Sequence, residues 1–290
     1  MRPYTIITDS CCDLSAEMAR ELEIKALPLR LTLEGKDYAN RLDGREIGFK
    51  EFYDKLREGH MSTTSAVSAG VFEEAMRREL REGRDVLCLT FSSALSATHQ
   101  SAVIAAEECR ERFPEGKVLV ADTLCASLGQ GLLVTLCAEQ KRLGKTLEEV
   151  HAFALEARHR VCHWVMAEDL HHLKRGGRIS AATATFGTML SIKPLIHVDP
   201  EGRLVSVGKA RGRKAGLQAL ADKVAATAVN PAEQTIFISH ADCREDADAL
   251  AEAIRSRCGT EKFCINYIGP VIGSHTGPGT IALFFLGKER

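Results

Sequence analysis

Aromatic residues make up only 6% of this 290-residue chain, which leaves little material for the stacking platforms that bind single-stranded nucleic acid. Net charge is missing too. Lys and Arg number 38 against 39 Asp and Glu, a formal -1, so no long-range field favours nucleic acid or an anionic membrane. Apolar runs such as Thr280 to Leu286 are far too short to cross a bilayer, so no stable membrane insertion is expected. The start, Met1-Arg2-Pro3-Tyr4, leads straight into a strand without a signal-peptide pattern, and the cytoplasm is the expected compartment. The ten cysteines include no CxxC pair, and the neighbours Cys11 and Cys12 have poor geometry for a bridge. His159, Cys162 and His163 are metal-ligand types, but strand alternation sends adjacent side chains to opposite faces, so no metal is expected. Gly129-x-Gly131 lacks the third glycine of a dinucleotide fingerprint and is not expected to open a helix after a strand. There is no Gly-x-Ser-x-Gly elbow, no Walker loop and no placeable pair of acids. Hydrolytic, redox and nucleotide chemistry therefore have no machinery here.

What is present is a sizeable core: 45% hydrophobic and 27% charged residues, enough chain for two domains. Tyr4 to Thr8, Asp85 to Phe91 and Lys117 to Ala121 read as buried strands of a parallel sheet, with helices between them. Lys25 to Leu33 reads as one edge strand because of Pro28, and Glu34-Gly35 as a tight turn into Lys36 to Tyr38. This excursion, about 25–40, is a small β flap on an N-terminal α/β domain spanning 1–160. Thr146 and Glu149 form a capping box. From Val161 the texture changes to a C-terminal α+β domain, 161–290, with a hairpin across Asp199-Pro200-Glu201-Gly202. Lys209, Arg211, Arg213 and Lys214 are expected to open a helix, where cations oppose the macrodipole and so suggest a partner.

Hydroxyls collect where strands end. Ser92, Ser93, Ser96 and Thr98 follow the Asp85 to Phe91 strand, at the carboxyl edge where α/β folds bind ligands. One helix cap uses one hydroxyl, and this loop offers several. Ser62 to Ser68 is a second hydroxyl-rich loop, and Gly269 to Gly279 a rigid glycine- and proline-rich loop around His275. Gly176-Gly177 beside Lys174, Arg175 and Arg178 reads on its own as a helix terminator among solvated cations. The set suits holding an anionic head group better than transforming one.

In this order the motifs resemble those of the DegV family of lipid-binding proteins, across essentially the whole chain. The resemblance rests on Thr8-Asp9-Ser10 with Asp13-Leu14, on Thr64-Ser65, and on Ser92-Ser93-x-Leu95-Ser96-x-Thr98. It continues through Leu173 to Ile179, Lys193-Pro194, Lys209 to Lys214 and Gly273 to Gly279. It implies a two-domain α/β protein whose lipid site, a buried acyl tunnel, lies between the domains. The carboxylate is held by Thr64 and by the Ser92-Ser93 pair, Ser93 foremost, with His275 nearby. A long-chain fatty acid is then the ligand and no cofactor is needed. A separate kinase subunit, related to dihydroxyacetone kinases, would phosphorylate the presented carboxylate for phospholipid metabolism. Arg175, Arg178 and Arg211 would face that partner or the acyl phosphate. This chain departs from the family in having Ala66-Val67 for Gln-Pro, Ala97 for Gly and Thr123 for Ser. The rival reading is a stand-alone acyl hydrolase or transferase using Ser93 and His275, for which no third, acidic member is evident. A lipid held as a fixed core element is the remaining alternative.

Overall fold

The computed structural model describes residues 2–168, 170–179 and 191–290. Thirteen strands lie among the described residues: β1 Tyr4–Asp9, β2 Ile24–Leu27, β3 Arg30–Leu33, β4 Lys36–Ala39, β5 Ser62–Ser65, β6 Asp85–Thr90, β7 Val118–Asp122, β8 Val161–Met166, β9 Ile192–Val198, β10 Leu204–Arg211, β11 Ile236–His240, β12 Phe263–Tyr267 and β13 Ile281–Leu286. Between them run α1 Ala16–Glu21, α2 Phe49–Arg57, α3 Ala69–Arg81, α4 Thr98–Arg112, α5 Leu128–Arg142, α6 Leu147–Ala157, α7 His171–Arg175, α8 Arg213–Thr227, α9 Arg244–Cys258 and α10 Pro270–Thr276.

The first sheet is wholly parallel, in the order β2-β1-β6-β7. Its two inner strands are buried at every residue, their apolar centres Ile6-Ile7 and Val86 to Leu89 flanked by buried threonines and aspartates. Alternation feeds two cores. Ile7, Val86 and Cys88 meet Phe72 and Met76 of α3 and the alanines of α4. Ile6, Leu87 and Leu89 meet Leu132 and Leu133 of α5 and Val150 of α6. The capping box forms as expected, with Thr146 and Glu149 each bonding the other's backbone N–H.

The flap is a three-stranded antiparallel sheet, β4-β3-β5. Glu34 and Gly35 take φ of 52° and 74°, the left-handed pair that a two-residue hairpin needs. Two expectations change here. The predicted strand over 25–33 breaks at Pro28: β2 pairs with β1 in the main sheet, and β3 leaves it for the flap. Proline has no N–H to continue a ladder, and the next N–H, of Leu29, bonds Ser10 Oγ instead. The first four residues of the hydroxyl-rich loop expected over 62–68 are also a strand, β5, with Thr64 opposite Leu31. Its β-branched threonines suit a half-buried pleat.

The second large sheet is mixed, in the order β10-β9-β8-β13-β11-β12, with only β11 and β12 parallel. Helices α8 and α9 pack on it through Leu220, Val224, Leu250 and Ile254. The parallel sheet and flap use the strands before residue 160, and the six-stranded sheet uses those after it. The chain is thus a mixed α/β fold with a parallel sheet and a separate sheet domain.

Three further expectations are corrected. Lys209 and Arg211 belong to β10, and α8 starts only at Arg213. Arg213, the cation set against the helix dipole, is held by Asp246 at 2.7 Å and Glu168 at 3.1 Å, so its own chain balances it. The loop at 269–279 winds into α10, because Pro270 at the first position pre-sets the helical φ. Gly129 and Gly131 do open a helix, α5, after β7. They admit His163 and the Cys12 carbonyl, both of which a Cβ would strike, rather than a phosphate. No helix among the described residues is long and apolar enough to cross a membrane.

Candidate functional site

A cavity of about 1070 Å³, mouth included, lies between the six-stranded sheet, the flap and the loop after β6. The register of the sheet shapes one wall: Val165 on β8 stands opposite Ile196 on β9 and Ala282 on β13. One pleat further, His163 stands opposite Phe284. Leu29, Phe91, Leu95, Ile268 and Val271 close the other sides.

Most polar side chains in this wall are already satisfied from within. His163 is fully buried, with Nδ1 bonded to the Val161 carbonyl at 2.9 Å and Nε2 accepting from Ala126 N at 3.2 Å. Ser127 donates to Asp13 Oδ2 at 2.5 Å, and Thr276 and Thr280 donate to backbone carbonyls. A hydrocarbon beside these four side chains therefore meets donors that already have partners.

One end differs. Thr64 Oγ1 on β5 lies 2.7 Å from His275 Nε2 on α10, and beside them Ser62 donates to Ser274 across 2.7 Å. The other ring nitrogen of His275, Nδ1, is buried without a partner among the described residues. It lies against Gly176, where any Cβ would overlap the ring. Burial, then the charges of Arg178 and Arg175, push the His275 pKa down to about 4, so the ring is neutral at pH 7. Arg178 donates through Nε to the Leu95 carbonyl at 3.2 Å and through Nη1 to the Gly176 carbonyl at 2.5 Å. It thereby ties the glycine break after α7 to the serine loop.

Of the residues singled out from sequence, Thr64, His275 and Arg178 come together on the cavity wall. Ser92 and Ser93 do not line it. Ser92 is buried, and its hydroxyl donates to the Gly202 carbonyl at 2.9 Å, clasping the β9–β10 turn. Ser93 is exposed, and its N–H bonds the Asp122 carboxylate at 3.2 Å. The serine on the wall is Ser96, one turn on, whose N–H bonds the Ser92 carbonyl at 3.1 Å. Its signal was present in the sequence as Ser96-x-Thr98: Ser96 Oγ accepts from Thr98 N at 3.2 Å, a local turn that fixes its direction. Arg175 is exposed and bonds His172 Nδ1 at 2.8 Å, and Arg211 is exposed on the edge strand β10. Neither is on the wall. No hydrogen bond joins Ser93 to His275, and no carboxylate bonds His275, among the described residues. A nucleophile, base and orienting acid are therefore not assembled around these two residues.

The sequence model of the DegV family, described as "Uncharacterised protein, DegV family", matches residues 3–288. A DegV domain-containing protein of Clostridium perfringens is 45% identical, with 100% of this chain and 99% of that one covered. Among solved structures, a DegV family protein from Thermus thermophilus described as fatty acid binding is 36% identical, with a TM-score of 0.86 over 99% of this chain and 100% of that one. DegV from Bacillus subtilis, described as a fatty acid binding protein, is 28% identical with a TM-score of 0.84, covering 99% of this chain and 100% of that one. A family match over nearly the whole length, with the same fold in solved relatives, leads to one conclusion: this chain belongs to the DegV family.

Proposed function

We propose that this protein is a cytoplasmic carrier that binds a long-chain fatty acid between domains 1–160 and 161–290. The acyl chain lies along the apolar wall, and the carboxylate sits at the end formed by Thr64, Ser96, His275 and Arg178. The observation that carries this reading is the cavity itself, apolar along most of its lining and carrying Thr64, Ser96, His275 and Arg178 among its wall residues. Burying a methylene is worth ~0.8 kcal/mol, so a chain with about fifteen of them supplies on the order of 12 kcal/mol gross. The tail supplies affinity, and the hydroxyls select an acid. The fatty acids described for the Thermus thermophilus and Bacillus subtilis relatives support the same ligand class.

The unpartnered Nδ1 also indicates how the acid is held. A buried lone pair without a partner costs less than a buried N–H without one, which assigns the proton to Nε2. His275 then donates to Thr64 Oγ1 and leaves the threonine hydroxyl free to donate to the carboxylate. A hydrogen bond to a charged group is worth about 1.5–3 kcal/mol. The protein itself performs no catalysis and presents the carboxylate to a separate ATP-dependent kinase subunit, with Arg175, Arg178 and Arg211 toward that partner.

Mass spectrometry of the purified protein, native and then denatured, tests the ligand. The expected result is an excess mass that leaves on denaturation and extracts as a long-chain acid. A protein that arrives empty and takes up no added oleate or palmitate would overturn the reading. Carrier and enzyme separate on an activated acyl ester, from which a carrier releases no burst of alcohol.

A further inference from the structure

The motif Thr8-Asp9-Ser10 with Asp13 has so far no part in the site, since neither Asp9 nor Asp13 lines the cavity. Yet the turn after β1 sends bonds to the serine loop, to the flap and to the start of α10. Asp9 ends β1 fully buried. One of its carboxylate oxygens holds Cys11 N at 3.0 Å and the other holds Phe91 N at 2.7 Å, the first residue of the loop that ends in Ser96. Ser10 Oγ accepts from Leu29 N at 3.0 Å and from Asn40 Nδ2 at 3.2 Å. Leu29 and Asn40 flank the β3–β4 hairpin and bond each other, and β3 carries Leu31 opposite Thr64. Asp13, in the left-handed region at φ 50°, accepts from Gly269 N at 3.0 Å through Oδ1. Gly269 is the N-cap of α10, which carries His275. A Cβ on Gly269 would lie 2.6 Å from that oxygen, so glycine is required for the approach.

We propose that the Asp9–Asp13 turn is the positioning element of the head-group site, with Asp9 fixing the Ser96 loop, Ser10 the Thr64 flap and Asp13 the His275 helix. The three arms come from the serine loop, the flap and the far end of the chain. Among the described residues, this turn is where side-chain bonds from all three meet. Its geometry therefore sets the spacing of hydroxyls and ring that a carboxylate must span, and through Asp13 Oδ2 it also holds Ser127 of the cavity wall. This inference rests on the fatty-acid reading above.

Binding of an 18-carbon acid and of the alcohol of the same chain separates positioning from general support. The wild-type protein is expected to prefer the acid. Ser10→Ala is expected to cut that preference about tenfold or more while alcohol affinity stays within about twofold. Asp13→Ala, which also releases Ser127 from the wall, is expected to cut the preference as far with a smaller loss for the alcohol. Asp13→Asn keeps an oxygen for Gly269 N and is expected to retain most of the preference. Ser10→Ala added to Thr64→Ala is expected to cost no further selectivity, because the arm it positions is already gone. Equal losses for acid and alcohol, or an unchanged ratio in folded variants, would overturn the proposal. Should Asp13→Ala not fold, Ser10→Ala decides, since it removes one hydroxyl and leaves Ser127 of the wall in place. A wild-type protein that binds both lipids alike would instead sink the head-group site itself, and this inference with it.

Discussion

His275 rests on Gly176: its Nδ1 occupies the space a side chain there would fill, while Nε2 reaches Thr64 Oγ1 at 2.7 Å. The arrangement is reciprocated between α7 and α10, where His172 lies over Gly277. Each imidazole thus depends on a bare backbone in the opposing element. The glycine break in Leu173 to Ile179, which read as a helix terminator, also serves as the seat of His275.

Gly176→Ala tests that seat. The backbone there has an ordinary helical φ of -72°, so alanine brings no conformational penalty and its effect is steric. Overpacking of this kind costs about 1–3 kcal/mol. Fatty-acid affinity is expected to fall about tenfold as His275 is pushed off Thr64, with a modest drop in melting temperature. Titration calorimetry showing wild-type affinity would mean the ring is not needed where it stands.

The serines separate by position. Thr64→Val and Ser96→Ala each remove a hydroxyl from the cavity wall and are expected to weaken acid binding about tenfold, the equivalent of 1.4 kcal/mol. Ser93→Ala alters an exposed side chain and is expected to stay within twofold. A displacement assay in which Ser93→Ala is the damaging variant would reverse this assignment.

Asp13 makes stability depend on pH. Burial pushes its carboxyl up to about 8, with Asp9 adding repulsion, while Ser127 and Gly269 pull it down. An unfolded aspartate titrates near 3.9. The folded state therefore keeps a proton that the unfolded chain loses, and stability present at low pH is lost as pH rises toward 8. Relative to Asp13→Asn, the wild type is expected to lose up to about 1.4 kcal/mol per pH unit across that window. Urea unfolding of both proteins from pH 5 to pH 9 measures the difference. Parallel curves would mean Asp13 is charged throughout.

His275 responds in the opposite sense. Its pKa of about 4 lies below that of a free histidine, so protonation disfavours the ligand-free fold as pH falls from 6.5 toward 4. A carboxylate bound at Thr64 favours the imidazolium, and histidine NMR titrations are expected to show the pKa rising when a fatty acid is added. No movement on saturation would place the carboxylate elsewhere.

Much of the scaffold was legible because it rests on near neighbours. The buried strands β1, β6 and β7, the Glu34-Gly35 turn, the Asp199 to Gly202 turn and the Thr146 capping box each depend on residues a few positions apart. Thr64 and His275 could be named from motifs that stand far apart in sequence. Ser96 was within reach through its turn with Thr98, but the repeated serines drew the assignment to Ser92 and Ser93.

By itself the sequence determined an α/β fold with a parallel sheet, a hydroxyl-rich edge and a histidine among glycines, since periodicity and turn chemistry act over short spans. Tertiary structure alone decided which hydroxyls face the cavity. Ser92 is turned away by the Gly202 carbonyl, 110 positions along the chain, and β3 is drawn off the main sheet by Ser10. Ser127 enters the wall at φ 53° because Asp13 and Ser239 hold it there. Each outcome depends on a partner distant in sequence, and neither periodicity nor turn chemistry reaches that far.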